Sequence, residues 1–213
     1  SDGVNLRQEL SAVNRENQLT PLGRQLARLP VDPRMGRRLL EAAKLGSLQE
    51  VLIVASAMSV QDPRERPPER QQAADQAHAQ WKDVDSDFAA LINVWRGFEE
   101  QRQALTASPL RNWCRKNFLN YLRLREWRDS HRQLSLICRD MQLTVNKEPA
   151  DYPKLHKAVL SGLLSQIGQK TEDGDYLGAR QRRFWIHPSS GLGKKRPQWL
   201  MAAELVETTK LYA

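Results

Sequence analysis

The 213-residue sequence predicts a mainly α-helical protein with a C-terminal β-barrel. Two observations carry this prediction. Apolar residues recur at helical spacing through most of the first 167 residues, and after Gly168 short β-prone runs alternate with turn residues. Residues that start and stop helices divide the chain further, so we expect three segments, 1–46, 47–147 and 148–213.

Segment 1–46 has the pattern of the C-terminal part of a winged-helix domain. Leu6 to Val13 looks like the end of a helix. Thr20-Pro21 and Asp32-Pro33 each place an N-cap residue before a proline, which is favoured in the first helical position. Gly46 is the expected end of the later helix. We expect the first helices of this domain upstream, and we interpret both chain ends as cuts in a longer protein.

Segment 47–147 predicts a helical bundle. Ser47 and Glu50 have the spacing of a capping box ahead of an apolar helix. A second helix, within residues 85–105, is amphipathic, with these apolar residues at helical spacing: Phe88, Leu91, Ile92, Trp95 and Phe98. Ser108-Pro109 then caps one further helical stretch, expected to run from Leu110 to about Leu143.

Segment 148–213 predicts one helix followed by strands. An apolar helical stripe stops at Gly168 and comprises Leu155, Val159, Leu160, Leu163, Leu164 and Ile167. Residues 184–186 and 199–201 are β-prone, and residues 204–212 alternate less cleanly. A small barrel of the oligonucleotide/oligosaccharide-binding (OB) type fits this pattern, although propensity alone does not distinguish it from another small barrel. We expect this domain to be truncated by the loss of its last strand.

The charge is unevenly distributed along the chain. The net charge is +8 and the sequence pI is about 9.8, a surplus that attracts polyanions when it is concentrated. Residues 178–203 contain six basic and no acidic residues, and residues 108–139 contain eight basic and two acidic ones. Residues 61–100 contain nine acidic and five basic residues. This polarity favours a phosphate-rich partner such as a nucleic acid.

The sequence offers no constellation typical of a catalytic or metal site. We interpret Cys114 and Cys138 as buried, reduced thiols, which indicates a reducing cytoplasm. The four histidines lack metal-ligand spacing, so a surface or capping role is expected for each. No apolar run approaches the length of a membrane span, and no membrane partner is expected.

The one Gly-Lys pair, Gly193-Lys194, does not form a phosphate-binding P-loop. That motif needs a glycine where Pro188 stands and a serine or threonine where Lys195 stands. We therefore expect no nucleotide cofactor in this chain, and we interpret the segment as a basic loop.

A first candidate nucleic-acid surface is an arginine ridge within residues 125–141. At 100° per residue, four guanidinium groups share one helix face: Arg125, Arg128, Arg132 and Arg139. The opposite face is apolar and consists of Trp127, Leu134, Ile137 and Met141. The ridge predicts contact with phosphates, which arginine binds well. An ordinary solvated outer face is the alternative.

A second candidate surface lies in the predicted barrel, where basic and aromatic residues interleave. Its members are Arg180, Arg182, Arg183, Trp185, Lys194, Lys195, Arg196 and Trp199. Single-stranded nucleic acid is bound by positive charge for its backbone and ring faces for its bases. The alternatives are core packing for the two tryptophans and ordinary surface charge for the six basic residues.

Several strings, in order along the chain, resemble one known family. They are 19–24 (LTPLGR), 29–34 (LPVDPR), 55–67 (ASAMSVQDPRERP), 117–128 (NFLNYLRLREWR), 160–168 (LSGLLSQIG), 178–180 (GAR), 184–191 (FWIHPSSG) and 202–209 (AAELVETT). Together they resemble the winged-helix end, the helicase-associated ratchet domain and the OB-fold domain of DEAH-box ATP-dependent RNA helicases. In detail they look most similar to the bacterial HrpA type.

The resemblance implies a parent protein in which two RecA-like domains bind ATP and Mg²⁺ and step along RNA in the 3′-to-5′ direction. The winged-helix, ratchet and OB domains of such proteins close the other side of the strand channel, and the OB domain receives regulators in some relatives. Neither RecA-like domain nor the DEAH motif is present in this sequence. The resemblance thus implies an accessory region and no catalysis by this piece itself.

The sequence therefore predicts an accessory region that binds the backbone of single-stranded RNA and closes the channel against RecA-like domains of the same parent chain. Single-stranded DNA stays open as a ligand, because contact with a 2′-hydroxyl leaves no motif. The alternative is a protein-docking platform for a regulator or the ribosome, without its own grip on RNA.

Overall fold

The computed structural model describes residues 6–8, 10–163, 166–203, 205–207 and 210–213. The chain folds into two compact units. The first unit comprises the described residues up to Leu52 together with Ser135–Pro188 and Arg196–Ala213. The second unit comprises Ile53–Leu134 and Ser189–Lys195.

The described elements follow the predicted order of helices and then strands. The α-helices are α1 (Pro21–Arg28), α2 (Pro33–Leu45), α3 (Leu48–Met58), α4 (Gln71–His78), α5 (Asp87–Ala104), α6 (Ala107–Lys116), α7 (Tyr121–Asp140) and α8 (Tyr152–Leu160). The strands are β1 (Ile167–Lys170), β2 (Tyr176–Gly178), β3 (Arg183–Phe184), β4 (Trp199–Met201), β5 (Val206–Glu207) and β6 (Leu211–Tyr212). Among the described residues, none of the helices is both long enough and apolar enough to cross a membrane.

The helix ends predicted in the first unit are confirmed. Thr20 caps α1, since its Oγ1 accepts a hydrogen bond from the backbone N–H of Gly23. Asp32 caps α2 in the same way, and Gly46 ends α2 with a φ of 73°. The helix predicted for Leu6–Val13 is wrong at its end, because Val13 forms an antiparallel bridge with Leu19.

A small apolar core holds the first unit around α1. Its buried members are Ala12, Leu26 and Leu29, and the residues packed on them are Leu22, Val31, Leu40, Ile137 and Met141. Helix α2 also packs on α8. Near this packing Arg38 is buried, which lowers the pKa of its guanidinium to about 10, and its Nη2 lies 3.5 Å from the Gly162 carbonyl.

The second unit is a helical bundle around a buried tryptophan. Trp127 of α7 is fully buried, and its Nε1 donates hydrogen bonds to the Ile53 carbonyl and the Ser56 Oγ, both at 3.0 Å. The ring of Trp95, on α5, lies 5.1 Å from the Trp127 ring. Phe88, Ile92 and Phe98 of α5 are also buried, which confirms the predicted amphipathic helix.

The single helix predicted from Leu110 to about Leu143 is wrong, because the chain breaks between α6 and α7. Phe118 adopts a φ of 52°, which an α-helix does not accommodate. Asn120 then starts α7: its Oδ1 accepts a hydrogen bond from the backbone N–H of Arg123 at 3.1 Å. The same residue is tied to a distant segment, since its backbone N–H donates to Pro63 and its Nδ2 donates to Glu65.

The strands form an antiparallel sheet of four in the order β3-β2-β1-β4, and β5 pairs with β6 in a separate hairpin. The predicted stripe that ended at Gly168 is too long, because α8 ends at Leu160 and Ile167 begins β1. Leu164 of that stripe lies outside the described residues. The four-stranded sheet is open among the described residues, so the chain is mainly helical with an antiparallel sheet.

Candidate nucleic-acid interface

One face of the four-stranded sheet carries a row of exposed side chains. Gln169 of β1 lies opposite Leu177 of β2 on one side and opposite Trp199 of β4 on the other. Leu177 in turn lies opposite Arg183 of β3. Directly opposed residues project from the same face of a sheet, so these four side chains form one row across four strands. We call Arg183, Leu177, Gln169 and Trp199 the cross-strand row, and all four are exposed.

The other face of the sheet is its apolar side. Tyr176, Phe184 and Leu200 are buried there, and the rings of Tyr176 and Phe184 stack at 5.9 Å. Gly168 allows this packing, because a Cβ at that position would lie 2.4 Å from the Phe184 Cζ. The Tyr176 hydroxyl donates a hydrogen bond to the Pro197 carbonyl at 2.7 Å, next to the start of β4. The buried face thus orients the cross-strand row towards solvent.

The two tryptophans predicted as base platforms differ in their surroundings. Trp199 is 60% exposed, and its indole N–H has no hydrogen-bond partner among the described residues. Trp185 is half-buried, and the Lys210 Nζ lies 4.5 Å from its ring centroid. Core packing is therefore not the role of Trp199, whereas Trp185 already has a cation on its ring.

The arginines of the predicted barrel also differ from one another. The Arg183 guanidinium is bound by two carboxylates, with Nη2 at 3.0 Å from Asp173 and Nε at 3.2 Å from the buried Asp175. Arg182 and Arg196 are exposed, and neither has an ion-pair partner in the described part of the chain. The side chain of Arg180 lies outside what the structure describes.

The basic loop 189–195 is held by Asp85 and Asp87, two acidic residues beside the N-terminus of α5. Ser86 caps α5, since its Oγ accepts a hydrogen bond from the Ala89 N–H at 3.1 Å. The Asp87 carboxylate accepts hydrogen bonds from the Ser190 hydroxyl and from the Gly191 N–H at 3.1 Å. Lys195 forms an ion pair with Asp85. Lys194 is exposed, and the described residues offer it no ion-pair partner.

The arginine ridge on α7 is present, but its members are not equivalent. Arg125 and Arg132 are exposed and lack ion-pair partners within the described ranges. Arg128 is half-buried, with its Nε 2.8 Å from the Glu99 carboxylate, which also pairs with Arg102. Arg128 therefore shares one carboxylate with Arg102 inside the helical bundle, whereas Arg125 and Arg132 face solvent.

The predicted site residues fall into two sets. Those of the first unit are Arg180, Arg182, Arg183, Trp185, Arg196 and Trp199, and those of the second unit are Arg125, Arg128, Arg132, Lys194 and Lys195. Sequence reasoning missed Gln169 and Leu177, which join the candidate site only through the strand register. It also missed the contacts of Asp85 and Asp87 with a loop about a hundred residues away. Neither relation leaves a local sequence signal.

The remaining reactive side chains of the described residues suit structural roles. Cys114 and Cys138 are buried and free, as predicted, and burial raises the pKa of each thiol to about 11. Burial also lowers the pKa of His78 and His131 below the usual histidine value. Among the described residues no group of three His, Cys, Asp or Glu side chains has the geometry to hold a metal ion.

Three family models match the chain in succession. Residues 8–31 match the helicase associated domain (HA2), winged-helix, and residues 32–91 match the helicase associated domain (HA2), ratchet-like. Residues 155–213 match the oligonucleotide/oligosaccharide-binding (OB)-fold. The order of these matches defines a helicase-associated region, built from the same three kinds of domain that the sequence motifs resemble.

Curated relatives narrow this class. The chain is 51% identical over 99% of its length to the ATP-dependent RNA helicase HrpA of Escherichia coli K12, and 50% identical over 99% to the HrpA homolog of Haemophilus influenzae. It is 33% identical over 92% of its length to the ATP-dependent RNA helicase DHX33 of Drosophila melanogaster. The chain spans 17% of the length of each bacterial relative and 28% of the fly protein. The chain therefore belongs to the HrpA type of helicase-associated regions.

Proposed function

We propose that this chain is the accessory region of an ATP-dependent RNA helicase and that it binds the backbone and bases of single-stranded RNA. In this role it closes the strand channel against RecA-like domains of the same parent chain. Those domains would bind ATP and Mg²⁺, and the parent would act in the cytoplasm. The similarity to HrpA proteins supports the helicase context, since those relatives are named ATP-dependent RNA helicases.

The exposure of Trp199 is the observation that carries the proposal of RNA binding. Burying an indole ring stabilises a fold, so an aromatic ring left 60% exposed on a strand is available for a ligand. Arg196 lies three residues before Trp199, and both belong to a segment that matches the OB-fold model. An exposed cation three residues from an available ring suits a strand that presents both phosphates and bases.

The proposal includes two finer structural statements. We propose that β1–β6 belong to one OB-type barrel. Support comes from the backbone of Trp185, which donates to Leu211 at 2.8 Å and accepts from Ala213 at 2.7 Å, joining the end of β3 to the segment of β6. We also propose domain boundaries near residues 46 and 147, although the ratchet-like match begins earlier, at residue 32.

Fluorescence anisotropy of a labelled single-stranded RNA, titrated with the full chain at two salt concentrations, tests the proposal. We expect binding that weakens steeply with salt, because phosphate contacts release counterions. Trp199→Ala should cost about 1–3 kcal/mol of binding free energy, the usual value of stacking one base. Tyr152→Ala is the matched control, since Tyr152 is another half-exposed aromatic residue, located on α8 rather than on the sheet.

Absence of binding at low salt, or an equal loss of affinity in Trp199→Ala and Tyr152→Ala, would refute the proposed RNA binding. Competition with single-stranded DNA of the same sequence then shows whether the affinity for RNA depends on the 2′-hydroxyl.

A second candidate function is docking of a regulator protein, and a cleft in the second unit favours it. The cleft has a volume of about 380 Å³ and is lined by Glu65, Arg111, Cys114, Arg115, Leu119, Asn120, Tyr121 and Leu122. Leu122 is 65% exposed. The Arg111 guanidinium lies 5.3 Å from the centroid of the Tyr121 ring and covers that face of the ring. A cleft with an apolar wall and two arginines suits an acidic peptide. If this cleft is the docking site, an oligonucleotide competitor should leave the binding of the peptide unchanged.

A further inference from the structure

The cross-strand row has a composition that suits a base better than a phosphate. At one end, Arg183 is bound by Asp173 and Asp175, so this end carries two carboxylates for one guanidinium. At the other end, Trp199 is uncharged and mostly exposed. A phosphate near Arg183 would meet both carboxylates at close range. The cross-strand row therefore offers a ligand polar and apolar contacts but no net positive charge.

Gln169 is the polar member in the middle of the row. It lies directly opposite Trp199 across one strand pair and opposite Leu177 across the next. Opposed Cβ atoms in antiparallel strands are about 4.5–5.5 Å apart, so the Gln169 amide reaches the rim of a base stacked on Trp199. The side chain is exposed, and it makes no hydrogen bond to any described residue. Its donor and acceptor are both available.

The chemistry of an amide favours one base, because all four bases carry an adjacent donor and acceptor on the Watson–Crick edge, but adenine alone carries a second such pair on its Hoogsteen edge. Glutamine offers one acceptor oxygen beside one donor NH₂ group, which complements a base edge carrying an adjacent donor and acceptor. Adenine presents such a pair on both its Hoogsteen edge and its Watson–Crick edge, so either orientation of the stacked ring satisfies the amide. Single-stranded RNA exposes both edges of an unstacked base.

We propose that Gln169 and Trp199 form an adenine-preferring base subsite, with the base stacked on the Trp199 indole and its edge hydrogen-bonded by the Gln169 amide. This inference rests on the proposed function, because it specifies which base the RNA surface prefers. Leu177 extends the floor of the subsite on the β2 side, where its side chain is 37% exposed. Phosphates lie outside the row, towards exposed cations such as Arg196.

The test compares three labelled ribo-nonamers by anisotropy with the full chain: nine uridines, the same strand with a central adenosine, and the same strand with a central cytidine. We expect the adenosine strand to bind roughly five-fold or more tightly than the other two. Gln169→Leu should abolish this preference, so that the adenosine strand binds no more tightly than the other two. Gln169→Glu should also abolish it, because a carboxylate accepts but does not donate. Gln133→Leu, at an exposed glutamine of α7, is the matched control and should keep the preference.

Each outcome has a distinct meaning. Loss of the adenine preference in both Gln169 variants, with the control unchanged, supports the subsite. Equal binding of all three strands, or a preference that survives Gln169→Leu, overturns the subsite and leaves the proposed RNA binding intact. Failure of every nonamer to bind at low salt overturns the proposed function itself.

Discussion

Arg182 and Arg183 are neighbours in the sequence but differ in what their guanidinium groups contact. Arg183 is bound by Asp173 and Asp175, whereas Arg182 is exposed and has no ion-pair partner among the described residues. The distinction depends on the pairing of β2 with β3, which brings residue 183 close to the β1–β2 turn. An arginine count therefore overestimates the positive charge that this part of the sheet offers to a phosphate.

At the residue scale, His78 makes the stability of the second unit depend on pH. Its ring is buried, and its Nε2 lies 3.0 Å from the Phe118 carbonyl, which accepts a hydrogen bond from the protonated Nε2 of the neutral ring. Burial lowers the pKa of His78 below its ordinary value of about 6.5, and the charge of nearby Arg64 lowers it further. The neutral ring is therefore favoured in the folded state.

We predict that the free energy of unfolding falls as the pH drops from 7 to 5. Between the lower pKa of His78 in the folded state and its ordinary pKa in the unfolded chain, the unfolded state binds more protons than the folded state. Lowering the pH through this range therefore favours unfolding. His78→Gln, which keeps a donor for Phe118, should make the decline shallower. Urea unfolding at pH 7, 6 and 5 measures this, and parallel curves for the two proteins would contradict the prediction.

At the scale of elements, the helix ends that the sequence predicts well are local. Thr20, Asp32 and Gly46 act on residues two to four positions away, so their effect is visible in the sequence. The break before α7 was missed because its causes are distant: Asn120 is bound by Pro63 and Glu65, more than fifty residues earlier. The anchoring of loop 189–195 was not predicted for the same reason, since Asp85 and Asp87 hold it from about a hundred residues away.

The break itself gives a prediction for Asn120. Asn120→Ala removes the acceptor for the Arg123 N–H and the donor to Glu65, so we expect a loss of about 1–2 kcal/mol in the free energy of unfolding. Asn120→Ser should lose less, because its hydroxyl still caps the helix. Asn112→Ala, at an exposed position of α6, is the control. Urea unfolding followed by circular dichroism measures the free energy of unfolding of each variant. If Asn120→Ala is as stable as the Asn112→Ala control, the cap does not contribute to stability.

At the scale of the whole molecule, the sequence predicts the charge distribution better than it predicts the surface that uses it. Composition gives the net charge of +8, and the order of residues shows its concentration in two stretches. The structure separates cations that are paired, such as Arg128 and Lys195, from those that are exposed without ion-pair partners among the described residues. Among the predicted site residues, the second set comprises Arg182 and Arg196 in the first unit, and Arg125, Arg132 and Lys194 in the second.

The salt dependence of RNA binding, compared between variants of each unit, measures how many phosphate contacts the cations of that unit make. For a single strand, the slope of log K against log salt changes by about 0.7 for each phosphate contact. Replacing Arg182 and Arg196 by glutamine should lower the slope by about 1.4, and replacing Arg125, Arg132 and Lys194 should lower it by about 2.1. Arg66→Gln is the control, because Arg66 already pairs with Asp75. A slope that stays unchanged in one of the two variants removes that unit's cations from the interface, and an unchanged slope in both shows that RNA affinity does not depend on these five cations.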